Sequence, residues 1–121
     1  MVYFTLGDAR ELRRSVLENA EEQAQQIAED LRMQSKTLEE VLESVKWWIH
    51  NHPEKTTIMV GVLTHPILDM NTINRIGAEK IIPKLKKRLE DKYCEAFPDF
   101  RIEKDADQNF VFYLRVTFHS V

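Results

Sequence analysis

Residues 17–50 read LENAEEQAQQIAEDLRMQSKTLEEVLESVKWWIH. Within them Leu17, Ala20, Ala24, Ile27, Leu31, Leu38, Val41, Val45 and Trp48 recur in alternating steps of three and four. Gln34 fills the one register position that is not apolar. This is the a/d rhythm of a helical hairpin, a bundle or a coiled coil, and it implies a face that must be buried. Propensity is highest through Glu18 to Leu31, where Ala, Glu and Gln dominate, and it weakens around Gln34, Ser35, Lys36 and Thr37. Thr37 and Glu40 have the spacing of a capping box, so the segment is either one bent helix or two, near 8–34 and 37–50. An unbroken helix of about 42 residues would run about 60 Å, more than a small sheet can cover, and its far end would need a partner.

Upstream, Val2 to Leu6 reads as a short extended entry, an edge strand at most. Thr5 and Asp8 form a capping pair before Ala9. Downstream, Trp47 and Trp48 place two aromatics at the end of the stripe. Packing onto a sheet is the first expectation for both, and an aromatic anchor in a protein interface is the second. Asn51, His52 and Pro53 then stop the helix.

The remaining sequence changes period. Thr56 to Thr64 is a nearly continuous apolar run, the mark of a buried strand. A helix begins at Asn71 or Thr72 and carries Ala78, Ile81, Ile82, Leu85 and Leu89 toward Tyr93, with Pro83 expected to kink or break it. Phe100 to Lys104 is a short strand, and residues 105–109 turn the chain back. Phe110, Phe112, Leu114, Val116 and Phe118 then alternate with Val111, Tyr113, Arg115, Thr117 and His119, the clearest strand pattern in the chain. The fold class is therefore α+β: a long or broken N-terminal helix followed by a β-α-β-β unit. Its sheet should be small and antiparallel, ordered first–third–second, with the kinked helix on the Phe-rich face. The 121 residues fit one domain, with 1–54 a mainly helical association segment and 55–121 a small platform.

Composition narrows the function classes. Hydrophobic residues make up 43% and charged residues 31% of the chain, which argues for a folded domain rather than disorder. The net charge of −3 is divided unevenly: residues 1–54 carry 11 acidic and 6 basic groups, residues 55–121 carry 9 and 11. Cys94 is the only cysteine, which excludes an intrachain disulfide and suits a reducing compartment. No long apolar run or charged leader is present, so a cytoplasmic protein without membrane contact is the expectation.

Sites of chemistry are thinly represented. His50 and His52 lie one residue apart, with His65 and His119 later, but no HExxH or CxxC element joins them, and ordinary surface histidines are expected. Cys94 lacks a local histidine to activate it. Glu21/Glu22 and Glu39/Glu40 are adjacent pairs on helices and read as a solvated face. Gly61 and Gly77 form no phosphate-binding loop. No cofactor or metal is called for, and no catalytic residue stands out.

Two binding surfaces remain. The first is the repeat itself (Leu17, Ala20, Ala24, Ile27, Leu31, Gln34, Leu38, Val41, Val45 and Trp48), expected to assemble a structural or adaptor protein with itself or with another protein. In that reading Gln34 selects the register. The second is a basic face of Lys80, Lys84, Lys87 and Arg88, which could contact nucleic-acid phosphates, face solvent, or dock on an acidic protein surface.

Overall fold

The computed structural model describes residues 3–97 and 99–118. Four helices and three strands follow in the order α1 (Leu6–Gln34), α2 (Leu38–Asn51), β1 (Thr57–Leu63), α3 (Met70–Ile76), α4 (Ala78–Tyr93), β2 (Phe100–Lys104) and β3 (Phe112–Thr117). The fold is α+β, with a long N-terminal helix and a β-α-β-β arrangement. The strands form one antiparallel sheet in the order β1-β3-β2. Among the described residues no helix is long and apolar enough to cross a membrane.

The repeat does not make the coiled coil that its rhythm invites. Residues 35–37 break it, and its second half folds against a real sheet. Thr37 and Glu40 close a capping box that starts α2 as a separate helix, with Val41 and Val45 buried in the core. The break is held from three sides. Lys92 Nζ donates to Ser35 Oγ at 2.7 Å and to the Arg32 carbonyl at 3.3 Å, capping the end of α1. Tyr93 Oη donates to the Lys36 carbonyl at 2.6 Å, and the Lys36 N–H donates to the Val62 carbonyl at 2.8 Å. Val62 is the extra residue of a bulge: Gly61 pairs with Tyr113 and Leu63 with Phe112, which leaves Val62 between them. A period-3.5 pattern cannot register three such anchors at one turn.

α2 packs on β1 and α4 on β2. Ile58, Val60, Ile102, Leu114 and Val116 point from the strands into a core shared with Ile81, Leu85 and Leu89 of α4 and with Val41 and Val45 of α2. The opposite sheet face carries Met59, Tyr113 and Arg115 and is partly open. α1 lies mainly against α4 rather than on the strands.

Four local expectations change. Tyr3 to Thr5 form no strand, because Thr5 is already the N-cap of α1 and its hydroxyl accepts from the Asp8 N–H; Val2 lies outside the described residues. The expected helix from Asn71 to Tyr93 breaks at Gly77, whose φ of 98° no helix accommodates, and not at Pro83. Pro83 is exposed, so water can take the carbonyl of Glu79 that loses its amide. Asp69, rather than Asn71 or Thr72, caps α3. Finally, β3 spans only Phe112 to Thr117: Phe110 and Val111 are both buried ahead of it, while Phe118 beyond it is 38% exposed. His119 lies outside the described residues.

Candidate functional site

At 1.5 Å per residue the 29 residues of α1 run about 43 Å, against about 24 Å for the 16 residues of α4. The two helices run parallel, and charge sets where they meet. Lys84 pairs with Glu21, Arg88 Nε with Glu29 Oε2 at 3.2 Å, and Lys92 with the end of α1. Arg32, joined by Arg88, holds the Glu29 carboxyl below the usual glutamate value. Burial, reinforced by the neighbouring Arg32 charge, lowers the Lys92 ammonium. Ala24 and Ala28, both fully buried, let α4 approach closely at this seam.

These contacts begin near residue 20. The preceding part of α1 projects beyond α4 as an overhang, and its large apolar side chains stand in solvent: Leu6 69%, Leu12 56%, Val16 56% and Leu17 48% exposed. At 100° per residue, Leu6, Ala9, Leu17 and Ala20 fall in the same arc of about 80° as Ala24, Ile27 and Leu31, with Val16 at its edge. The apolar arc therefore recurs along the length of α1, interrupted once by Arg13. The fold covers its second half, and no described element covers its first.

The residues expected to form one interface divide accordingly. Ala24, Leu31, Val41 and Val45 are buried in the chain's own core, and Ile27, Leu38 and Trp48 pack partly against it. Ala20 is half-buried and Leu17 exposed. Gln34 is exposed and ties down the loop after β1. Its Oε1 accepts from the Ile67 N–H at 2.6 Å, and its Nε2 donates to the Ile67 carbonyl at 3.2 Å. Sequence reasoning missed Leu6 and Val16, because Arg10 and Arg13 occupy the register positions that would have continued the repeat upstream.

The basic face of α4 is largely committed. Lys84 and Arg88 are engaged by Glu21 and Glu29, so the acidic and basic halves of the chain meet within one molecule. Lys87 stays exposed and Lys80 half-exposed.

The remaining candidates hold less. Trp48 is half-buried, its ring 5.3 Å from that of Trp47 and 5.0 Å from that of His52, with Lys55 Nζ 4.7 Å above it. Trp47 is mostly exposed. No group of three His, Cys, Asp or Glu side chains that could hold a metal occurs among the described residues. Cys94 is exposed, with its Sγ 3.1 Å from the Asp91 carbonyl. A cleft of about 690 Å³ lies between the loop after β1 and the start of α4, lined by His65, Asn74, Gln108 and Phe110 among others. The Glu79 carboxylate turns back against Gly77 there, placing the chain's own negative charge where an anion would sit. Compared with known proteins, the chain matches no family model, no curated protein and no solved structure.

Proposed function

We propose that this is a non-enzymatic structural or adaptor protein that assembles, with itself or with another protein, through the free apolar face of α1. The observation that carries this reading is the apolar arc along α1, covered from Ala24 onward and left uncovered at Leu6, Val16 and Leu17. A helix end that contributes nothing to the core of its own chain, yet keeps Leu6, Val16 and Leu17 on one side, is organised for a helical or flat apolar partner.

Light scattering across a range of protein concentrations, on the natural chain and on Leu17→Asp, tests the reading. Leu17 lies outside the core, so the variant should fold with an unchanged melting temperature at low concentration while any assembly is lost. An oligomer that survives Leu17→Asp intact would place the interface elsewhere and overturn the reading. Nucleic-acid binding through α4 draws less support, because only Lys80 and Lys87 of its four residues are free of an acidic partner on α1.

A further inference from the structure

The charges that stand in and beside the uncovered half of the arc are all of one sign. At 100° per residue, Arg13 lies at the centre of the arc, between Ala9 and Leu6 and between Ala20 and Leu17. Val16 falls about 60° to one side of it, and Arg10 and Arg14 fall about 60° and about 100° to the other. The carboxylates of this stretch are elsewhere. Asp8, Glu11, Glu18 and Glu22 all lie at least about 140° from Arg13, on the far side of the helix. Only Glu21 comes nearer, and Lys84 engages it.

Arg10 and Arg13 have no carboxylate one turn away in either direction. The positions three and four from Arg10 hold Leu6, Gly7, Arg13 and Arg14, and those from Arg13 hold Ala9, Arg10, Val16 and Leu17. Each therefore meets another arginine at the spacing where helical neighbours touch, which weakens a helix rather than supporting it. Arg14 has Glu11 and Glu18 within a turn, yet none of the three arginines forms an ion pair among the described residues, and all three are exposed. The covered half of α1 shows how such charges are met. There Glu21 is matched by Lys84 and Glu29 by Arg88, both from α4. What α4 supplies to that half with cations, a partner would supply to the overhang with carboxylates.

Resting on the reading of the α1 face as an assembly surface, we infer that its occupant is an acidic amphipathic helix of another protein. Its apolar side chains lie on Leu6, Val16 and Leu17, and its carboxylates meet Arg10, Arg13 and Arg14. The arc from residue 6 to residue 17 is about 17 Å long, three turns, which a helix of about 12 residues matches in length and shape. Apolar contact supplies most of the affinity, and the arginine–carboxylate pairs select the partner. A second copy of this chain fits less well, because two facing arcs would set arginine against arginine. A lipid surface also fits less well. It favours basic side chains at the margins of an apolar arc, where their stems reach back to the headgroups, whereas Arg13 stands at the centre.

Fluorescence anisotropy on the full chain tests this with two labelled peptides. One is an amphipathic helix with leucine along one face and glutamate on both flanks, and the other carries lysine in place of every glutamate. The acidic peptide should bind at least about tenfold more tightly than the basic one, with an affinity that falls as salt rises. Arg10→Gln/Arg13→Gln should bring the two affinities within about twofold of each other without lowering the melting temperature, since both side chains are exposed and unpaired. Leu17→Asp should abolish binding of both peptides. Equal binding of the two peptides by the natural chain, lost with Leu17→Asp, would overturn the acidic partner and leave the apolar face standing as an assembly surface. Binding of neither peptide, or binding indifferent to Leu17→Asp, would overturn both. Two further measurements decide between occupants. Self-association in sedimentation equilibrium that Leu17→Asp removes would make a second copy the occupant. Co-flotation with phosphatidylserine vesicles, without binding of the acidic peptide, would make it an anionic lipid surface. Either result would overturn the acidic helix.

Discussion

The two halves of α1 obey one sequence rule and meet two environments. From Ala20 to Gln34 the stripe is built largely on small residues, and α4 packs against it, pinned by Glu21, Glu29 and the C-terminal cap from Lys92. From Leu6 to Asn19 the stripe is bulkier, Arg10, Arg13 and Arg14 stand in or beside it, and Leu6, Val16 and Leu17 are exposed. Amphipathic period thus reports that a face is to be buried. What buries it is written in side-chain size and in the charges beside the stripe.

The largest difference should appear on truncating the stripe in each half. Leu31 is 1% exposed, and Leu31→Ala should cost about 2–5 kcal/mol in urea unfolding, through lost burial and the cavity left behind. Leu17→Ala should stay within about 0.5 kcal/mol at concentrations where the chain is monomeric. Equal losses at both positions would mean that the overhang is covered within the chain, and the division of α1 would fail. The same burial makes Leu31→Asp a test of folding rather than of assembly, so assembly is to be read from Leu17.

A smaller loss is expected where the covered half is anchored. The buried Tyr93 ring fills the core while its hydroxyl holds the Lys36 carbonyl at the end of α1. Tyr93→Phe keeps the ring and removes only that bond, a cost of about 1 kcal/mol by denaturant titration. Hydrogen exchange should show the loosening at residues 35–38 and leave the overhang unchanged. A loss spread evenly along α1 would instead show that the two halves open as one unit.

Acid should separate the halves in the same sense. Arg32 and Arg88 hold the Glu29 carboxyl below its ordinary value of 4.5, and the Thr37 backbone and hydroxyl do the same for Glu40. Both groups bind protons less readily folded than unfolded, so their stabilisation is complete above that ordinary value. It is lost as pH falls through their lowered values. A thermal melt series below about pH 5 should show a declining midpoint, and Glu40→Gln should flatten part of the decline. A midpoint indifferent to acid would remove these two carboxylates from the anchoring of the break.

Much of this was legible in the sequence, and the failures share a cause. The strand order β1-β3-β2 followed from the length and alternation of residues 110–118, and both capping boxes from Thr5/Asp8 and Thr37/Glu40, because period and caps are local. The break at Gly77 was not seen: Pro83 is the stronger breaker in isolation, but it lies on the solvent side of α4, whereas Gly77 adopts a backbone conformation that the turn imposes. Gln34 looked like a register selector because its partner, the backbone of Ile67, is 33 residues away. The division of the stripe was hidden for the same reason. Nothing within residues 6–34 states that α4 ends its cover near residue 20.

The smallest effect concerns the two capping boxes, which have the same chemistry and opposite surroundings. In each, a threonine hydroxyl accepts from the N–H of the third helical residue, and an acidic side chain there accepts from the threonine N–H. Loss of such a cap costs about 1 kcal/mol where the helix start is coupled to the fold. Thr37 lies four residues before the buried Val41, at the anchored break, so Thr37→Ala should lower global stability by about that amount. Thr5 starts a helix end on which no described element packs. Thr5→Ala should therefore leave the global unfolding midpoint unchanged, while amide protection from residue 6 to about residue 10 falls as the first turns fray. Once the overhang is assembled, fraying would compete with docking, and the same substitution should then weaken association. A global loss from Thr5→Ala in the monomer, as large as that from Thr37→Ala, would show that the overhang is coupled to the core, and the two halves of α1 would have to be treated as one.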